Sequence, residues 1–139
     1  MQRHHAQSFD FPRLVQLPTN IDDRGALTAI EAGIDMPFDL NRCYLLHHLS
    51  AARGGHAHKE TYQLVVSAAG SCQVCLSPDG IQKKTFELNT PTQGLLIAPM
   101  TWIELPVFSS DALILVLAST HYESSKVIRD WDVFVNMVC

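Results

Sequence analysis

The sequence carries little charge and no excess of positive charge. Only 17% of its 139 residues are Asp, Glu, Lys or Arg, and the formal net charge is −4. Proteins that bind nucleic acid or an anionic membrane surface usually carry a basic excess, so neither kind of partner is expected. Low charge combined with 47% hydrophobic residues is instead typical of a globular protein with much buried sheet or an oligomer interface.

Long apolar runs are also absent from the sequence. No stretch approaches the ~20 apolar residues that a membrane-spanning helix needs, and the first seven residues lack the hydrophobic core of a secretory signal. We therefore expect a cytoplasmic protein. A chain of 139 residues is long enough for one ordinary core and too short for two, so residues 1–139 are predicted to form a single domain.

Cysteines are few, and their spacing does not suggest a metal or redox site. Of the four, Cys72 and Cys75 form the pattern C-x-x-C. An odd offset on a strand directs two side chains to opposite faces, so this pair is interpreted as buried apolar thiols rather than as a zinc or redox motif.

What the sequence does contain is a series of short strand-like segments. They are separated by turns rich in Gly, Pro, Asn and Asp, which favours an all-β barrel or sandwich. The predicted strands are 26–31, 41–48, 61–67, 70–76, 83–88, 94–104 and 111–118. The last is a continuous apolar run, long enough to be buried on both faces.

The two ends of the chain differ from this pattern. Residues 8–21 hold several large apolar residues between Pro12 and Pro18, which predicts an extended edge segment that needs a neighbouring sheet, on the same or another subunit. Near the C-terminus, apolar residues recur at spacings of three and four from Val127 to Val138. This predicts a short amphipathic helix, with Ser124 and Ser125 as the candidate cap.

The segment Arg53–Lys59 is the strongest candidate for a site. It reads as a tight glycine turn, Gly54-Gly55, followed by His56 and His58. On a strand, side chains two apart face the same side, with a separation of about 6–7 Å, so both imidazoles would face one cavity. Three interpretations are open: a pair of surface histidines, two metal ligands of a cupin, or a metal-free acid/base pair.

The spacing of the remaining candidate ligands favours the acid/base pair. A cupin metal site would add a Glu four or five residues after His58, where this chain has Tyr62 and Gln63, and a later His, where it has Ile103. Gln is a poor substitute for a carboxylate on a transition metal, so no metal and no cofactor are predicted. A metal-dependent oxygenase would have to recruit His48, His121 or Glu104.

Several basic residues accompany the histidines. Arg42, Arg53 and Lys59 lie within or near the histidine segment, and Arg24 lies in the turn Asp22–Gly25. A local basic cluster in an acidic protein suits a small anionic ligand better than an anionic polymer.

Motifs along nearly the whole chain then point to one family. Asp22-Asp23-Arg24-Gly25-x-Leu27, Pro37-Phe38 with Arg42 and Tyr44, the histidine segment, and the long block from Leu88 to Glu104 occur in this order, followed by Val116–Tyr122 and Ile128–Phe134. Together they resemble the sugar-nucleotide 3,4-ketoisomerases, WxcM-like cupins that act on dTDP-4-keto-6-deoxyglucose. The resemblance implies a metal-free cupin jelly-roll barrel and a homodimer in which residues 1–20 form an exchanged arm.

The resemblance also implies a reaction and a set of roles. The carbonyl would move from C4 to C3, giving a product that is later aminated for surface polysaccharide. His56 is assigned as the base at C3 and His58 as the acid at C4, with the reverse order open, and Tyr44 as the hydrogen-bond partner of the enediolate. Predicted substrate contacts are Arg24, Arg42, Arg53, Lys59, Trp102 and Glu104.

One position departs from the family. Where these enzymes commonly have a His after the Trp, this chain has Ile103, which cannot donate, accept or carry a proton. Ile103 favours a non-catalytic sugar-nucleotide-binding cupin as an alternative, and a 3,5-epimerase is the nearest enzymatic one.

Overall fold

The computed structural model describes residues 10–139. Phe9 and the other residues before position 10, which belong to the predicted arm, lie outside the described residues. The strands are β1 (Arg13–Gln16), β2 (Thr19–Asp22), β3 (Gly25–Thr28), β4 (Arg42–Leu46), β5 (Arg53–His58), β6 (Gln63–Ala69), β7 (Cys72–Ser77), β8 (Lys84–Leu88), β9 (Gln93–Ile97), β10 (Trp102–Phe108), β11 (Leu113–Ala118) and β12 (Val127–Ile128), and one helix, α1 (Trp131–Val138), follows.

The strands form two five-stranded sheets and a separate hairpin. Sheet I has the order β1-β9-β6-β11-β4, sheet II has the order β12-β5-β10-β7-β8, and β2 pairs only with β3. All these ladders are antiparallel. Within residues 10–139 no ladder joins the two sheets, so the predicted jelly roll is an open pair of sheets rather than a closed barrel.

The main core lies between the two sheets. Because side chains alternate along a strand, the strands β6 to β11 direct every second residue into it; on β8, for example, Phe86 and Leu88 are buried while Thr85 and Glu87 are exposed. The twelve buried residues of this core are Val65, Cys72, Val74, Leu76, Phe86, Leu88, Leu95, Ile97, Ile103, Leu105, Ile114 and Val116.

The outer face of each sheet is also covered. On sheet I, Leu64, Leu96 and Leu117 pack beneath Met36 and Leu17, which belong to segments outside the sheet. This cover confirms that β11 is buried on both faces. On sheet II, Trp102 packs against Phe134 of the helix.

The helix begins later than the serines predicted. Ser124–Lys126 forms a short 3-10 turn, Val127–Ile128 pairs with β5, and α1 begins at Trp131. Asp130 is the N-cap, and its carboxylate accepts hydrogen bonds from the backbone N–H groups of Asp132 and Val133. Asp is a better N-cap than the predicted serines because its negative charge also complements the helix dipole. Within the described residues, no helix has the length and apolar character needed to cross a membrane.

The N-terminal segment is extended, as predicted, and β1 forms the edge of sheet I by pairing with β9. β2 and β3 then form a hairpin joined through the turn at Asp23–Arg24. Two predicted strands are shorter than expected, since the strand at 26–31 ends at Thr28 and the strand at 41–48 ends at Leu46. The predicted strand at 94–104 is two strands, β9 and β10. His48 has a positive φ of 52°, so the chain has already left the extended conformation there.

Candidate active site

The two glycines before the histidines form a bulge and not the tight turn that was predicted. His56 pairs with Ile103 and Gly54 pairs with Glu104, so Gly55 is an extra residue on β5. Gly54 has a φ of 111°, and a Cβ there would lie 2.5 Å from the Cα of Glu104. Only glycine allows the two strands to approach so closely.

The bulge determines which side chains of β5 share a face. Arg53 and His56 are three apart, an offset that on a regular strand would place them on opposite faces. Because the bulge adds one residue between them, Arg53, His56 and His58 line the same cavity. The cavity has a volume of about 490 Å³, and its other lining residues are Arg42, Tyr44, Leu46, Ala52, Gly54, Leu105, Tyr122, Val127 and Arg129.

The two histidines face this cavity together, as the H-x-H spacing predicts. Their ring centroids are 5.0 Å apart and the rings are nearly perpendicular, at 88°. His58 is buried and His56 is half-buried. Two imidazoles at this separation can reach adjacent atoms of one small molecule.

Tyr44 reaches the same cavity from β4. Arg42, Tyr44 and Leu46 alternate along that strand and all three line the cavity. The Tyr44 hydroxyl accepts a hydrogen bond of 3.0 Å from Nε2 of Gln63, a buried residue of β6. Nε2 of Gln63 also lies 3.4 Å from Nε2 of His58.

Three guanidinium groups surround these side chains. The Arg42 guanidinium lies 4.6 Å from the ring centroid of Tyr44 and 5.1 Å from that of Tyr122. Arg129 donates a hydrogen bond of 3.2 Å to the Tyr122 hydroxyl, and Arg53 lies at the exposed end of β5. No Asp or Glu of the described chain is among the lining residues. The cavity is therefore a cationic site.

One atom of this cluster lacks a partner. Nε of Arg42 is buried and, within residues 10–139, has no hydrogen-bond acceptor. A buried donor without an acceptor destabilises the folded protein. An anionic ligand in the cavity would supply the acceptor that Nε of Arg42 lacks.

Burial and positive charge together keep the imidazoles neutral. The pKa of His58 is lowered to about 4, first by burial and then by His56, Arg42 and Arg129. The pKa of His56 is also lowered, first by burial and then by Arg129 and Arg53. Burial raises the pKa of the Tyr44 phenol, although nearby Arg42 opposes the effect.

Three predicted substrate contacts do not reach this cavity. Trp102 and Glu104 lie on the outer face of β10, because the inward positions of that strand are Ile103 and Leu105. There the Trp102 indole donates a 3.2 Å hydrogen bond to Glu104 and packs under the helix. Lys59 directly follows His58 and is exposed. The structure therefore does not bring these three residues together with the histidines: Trp102 packs against the helix with Glu104 as its hydrogen-bond acceptor, and Lys59 lies at the surface.

Arg24 also lies outside the cavity of its own chain. It is at the turn of the β2–β3 hairpin, its side chain is 86% exposed, and it forms a 2.7 Å ion pair with Asp22. Arg42, Arg53, Tyr44, His56 and His58 are the predicted site residues that the structure brings together.

Ile103 occupies the floor of the site. It packs in the core between the sheets and lines a small cavity of about 40 Å³ that shares Tyr44, Leu46, His56 and Leu105 with the larger one. The departure from the family therefore places an apolar surface directly beside His56.

The recruited metal ligands of the alternative hypothesis are not brought together. His48 and His121 do not line the cavity, and Glu104 faces the opposite side of sheet II. Within residues 10–139, no group of three or more His, Cys, Asp and Glu side chains is arranged to hold a metal ion.

Three residues of the site were not predicted from the sequence. The spacing of Gln63 from His58 indicated only a lost metal ligand, and Tyr122 and Arg129 stood out only as parts of longer motifs. For Tyr122 and Arg129, the only signal in the sequence was their place in those motifs. Arg129, for example, is a charged residue between the buried Ile128 and the helix cap Asp130.

Together, the fold and the cavity define a jelly-roll protein with two neutral imidazoles in a cationic site for a small anionic ligand. Comparison with known proteins identifies the family. Residues 11–139 match the model of the family described as FdtA: WxcM-like, C-terminal. The chain belongs to this family.

Individual relatives agree with this assignment. A TDP-4-oxo-6-deoxy-alpha-D-glucose-3,4-oxoisomerase from Aneurinibacillus thermoaerophilus is 38% identical over 124 residues, which cover 88% of each chain. The crystal structure of a 3,4-ketoisomerase from Helicobacter canadensis has a TM-score of 0.88 at 38% identity, covering 92% of this chain and 97% of that one.

A third relative was crystallised with a ligand. It is an asparagine variant, at one histidine, of the 3,4-ketoisomerase QdtA from Thermoanaerobacterium thermosaccharolyticum, in complex with TDP-4-keto-6-deoxyglucose. It has a TM-score of 0.87 at 34% identity, covering 91% of this chain and 92% of that one. The predicted family, fold class and enzyme class, an isomerase, are confirmed.

Proposed function

We propose that this chain is a sugar-nucleotide 3,4-ketoisomerase that moves the carbonyl of dTDP-4-keto-6-deoxyglucose from C4 to C3 by acid/base catalysis without a metal. The observation that carries the proposal is the pair of neutral imidazoles, His56 and His58, in a cavity lined by three arginines. The relatives named above support the substrate and the reaction.

The first half of the reaction removes a proton from C3. This proton is acidic because it lies next to the C4 carbonyl, and a neutral imidazole can accept it. We assign this step to His56, whose ring is neutral at pH 7 because its pKa is lowered. The imidazolium of His56 then gives its proton to O4, which carries the negative charge of the enediolate.

The second half delivers a proton to C4. Neutral His58 accepts the hydroxyl proton of O3 and passes it to C4 as the C3 carbonyl forms. One proton leaves C3 and reaches O4, and another leaves O3 and reaches C4, so both imidazoles finish neutral. No oxidant, reductant or metal is needed to balance these steps.

Tyr44 is proposed to stabilise the charge that develops on the sugar. Its hydroxyl accepts a hydrogen bond from Gln63 and so keeps its own proton for the enediolate oxygen. A donor held in place before the reaction stabilises the transition state without reorganisation.

The arginines are proposed to bind the diphosphate. Arg42 is held between two tyrosine rings, its Nε has no hydrogen-bond acceptor among the described residues, and Arg53 and Arg129 lie at the exposed mouth of the cavity. Guanidinium groups bind phosphate oxygens through paired, charge-assisted hydrogen bonds. The nucleotide would therefore occupy the mouth and the sugar the interior.

We also propose a homodimer in which the N-terminal arm contacts the partner. The β2–β3 hairpin pairs with no other strand of the described chain, and Ile21 on one of its faces and Leu27 on the other are 80% and 62% exposed. An isolated two-stranded hairpin is marginal in water. A second copy of the chain would cover these apolar residues.

The product is proposed to be aminated to a 3-amino sugar for surface polysaccharide. A carbonyl at C3 is the group that a transaminase would convert to an amine. The cytoplasm is the proposed location, because a nucleotide diphosphate is too charged to cross a membrane unaided.

A non-catalytic sugar-nucleotide-binding protein is the second candidate, and Ile103 is the observation that favours it. Such a protein would keep the arginines for binding. The apolar floor beside His56 would not impede binding, although it supplies no proton-transfer group. The alternatives separate when dTDP-4-keto-6-deoxyglucose is incubated with the protein and the carbons are followed by NMR. A carbonyl at C3 supports the isomerase, inversion at C3 and C5 with the C4 carbonyl retained indicates a 3,5-epimerase, and an unchanged ligand indicates binding alone.

A further inference from the structure

Gln63 connects two of the reacting side chains. It lies at the start of β6, is only 2% exposed, and directs its amide between Tyr44 and His58. The same nitrogen, Nε2, is 3.0 Å from the Tyr44 hydroxyl oxygen and 3.4 Å from Nε2 of His58. The two contacts differ in length, but in both of them the Gln63 nitrogen is the donor.

An amide nitrogen donates hydrogen bonds and does not accept them. The Tyr44 oxygen therefore accepts from Gln63, and the phenolic proton is left to point elsewhere. Nε2 of His58 likewise accepts, which requires a lone pair there and places the ring proton on Nδ1.

We propose that Gln63 is a positioning residue that holds His58 in the tautomer with an unprotonated Nε2 and directs the Tyr44 proton toward the substrate. The inference deepens the proposed function and depends on it for its catalytic meaning. Gln63 acts through Tyr44 and His58 and not on the substrate itself.

The tautomer matters because His58 must collect a proton before it can deliver one. With Nε2 unprotonated, the O3 hydroxyl can donate to it, and the 3.4 Å contact with Gln63 is long enough for a substrate hydroxyl to replace. With Nε2 protonated, the ring would present a donor to a hydroxyl that also has to donate.

The surroundings of His58 reinforce this arrangement. The charged or titratable groups facing it are Arg42 and Tyr44 from β4, Arg53 and His56 from β5, and Arg129 and Tyr122 from the segments after β11. β6 contributes the uncharged Gln63, and β10 contributes Ile103 and Leu105. Among the described residues that line the cavity, all the fixed charges are positive and oppose a second proton on the imidazole. A carboxylate at position 63 would instead favour that proton.

Two substitutions test the role. Gln63→Glu keeps the shape but accepts from Tyr44 and attracts a proton to His58, while Gln63→Met keeps the length without a donor. We expect each to lower kcat at least tenfold with KM changed less than threefold, and Gln63→Glu to raise the pKa of His58 in an NMR titration.

All assays contain a chelator, because a carboxylate beside two imidazoles can bind a divalent cation. Gln93→Glu, on β9 outside the cavity, is the matched control and should keep wild-type kinetics.

A spectroscopic measurement tests the proposal first on the wild-type protein. In ¹⁵N NMR of the unliganded wild-type protein, His58 should show the Nδ1-protonated tautomer, and Gln63→Met should shift it toward a mixture. Protonation of Nε2 in the wild type, or wild-type kcat in both variants, overturns the proposal. If the wild type fails to isomerise the sugar, the proposed function is lost, yet the tautomer still decides whether Gln63 positions His58.

Discussion

His56 and His58 are neutral because burial removes the water that would solvate a charged imidazole, and the adjacent guanidinium groups add repulsion. The arginines proposed to bind the diphosphate thereby also keep the proposed catalytic groups in the state that accepts protons. On this proposal, anion binding and acid/base chemistry depend, at the scale of single residues, on the same arginines.

Replacing either histidine should stop the reaction without preventing binding. We expect His56→Asn and His58→Asn each to reduce turnover by at least about a hundredfold, since acid/base catalysis typically contributes 10²–10⁴-fold. Affinity for the nucleotide sugar should remain nearly unchanged, because the arginines stay in place. Steady-state kinetics and calorimetric titration measure the two quantities.

The two variants should also differ from each other. Without the base His56, no deuterium should enter C3 from D₂O, whereas in His58→Asn the enediol can still form and return, so exchange at C3 should outlast net isomerisation. Exchange at C3 in both variants, or wild-type turnover in both, would contradict the assigned roles.

The lowered pKa values predict the pH dependence of the reaction. A base must be unprotonated to act, so kcat/KM falls once the pH drops below the pKa of the free enzyme's base. Because the pKa values of His56 and His58 are lowered, that of His58 to about 4, the fall should occur below the ordinary imidazole value of about 6.5. The exposed His47 is the control, since His47→Asn should leave the profile unchanged. An acid limb centred at or above 6.5 would contradict the neutral-imidazole account.

At the scale of elements, the bulge in β5 is the feature that assembles the site. It lets Arg53 and His56 share a face, and it exists because Gly54 has no Cβ to collide with β10. A side chain there would have to displace the backbone of Glu104, and His56 would move with it.

Gly54→Ala should therefore be severely destabilising and inactivating. An L-residue at positive φ costs about 1–3 kcal/mol, and the contact with Glu104 adds to that cost. Gly25→Ala is the matched control, since Gly25 also has a positive φ but a Cβ there would meet no atom within 4 Å. Denaturant unfolding should show a larger loss for Gly54→Ala, and equal losses in the two variants would contradict the proposed clash.

The sequence predicts the strands better than it predicts their irregularities. Alternation and turn residues are local signals, so the positions of β7, β8 and β11 along the chain and the shared cavity of His56 and His58 follow from them. The bulge depends on register with β10, and two consecutive glycines indicate a turn equally well. Trp102 and Glu104 were misplaced for the same reason, because only the pairing of Ile103 with His56 shows which face of β10 is inward.

At the scale of the whole molecule, the low charge and the uncovered hairpin both favour an assembly. We predict a dimer that Ile21→Glu or Leu27→Glu weakens, because each places a charge on an apolar surface that the partner would bury. Ile81→Glu is the matched control, since Ile81 is 77% exposed but lies in the β7–β8 turn. Light scattering at micromolar concentration should show a dimer for the wild type and for Ile81→Glu. A wild-type monomer unchanged by deletion of residues 1–18 would contradict the exchanged arm.

The measurement that tests the central claim most directly is incubation of the wild-type protein with dTDP-4-keto-6-deoxyglucose in D₂O, followed by proton NMR. We predict a 3-keto product with deuterium at C4, and recovered substrate that has gained deuterium at C3. A protein that binds the nucleotide sugar but never exchanges the C3 proton would contradict the assignment of His56 and His58 as an acid/base pair and would establish the binding protein in its place.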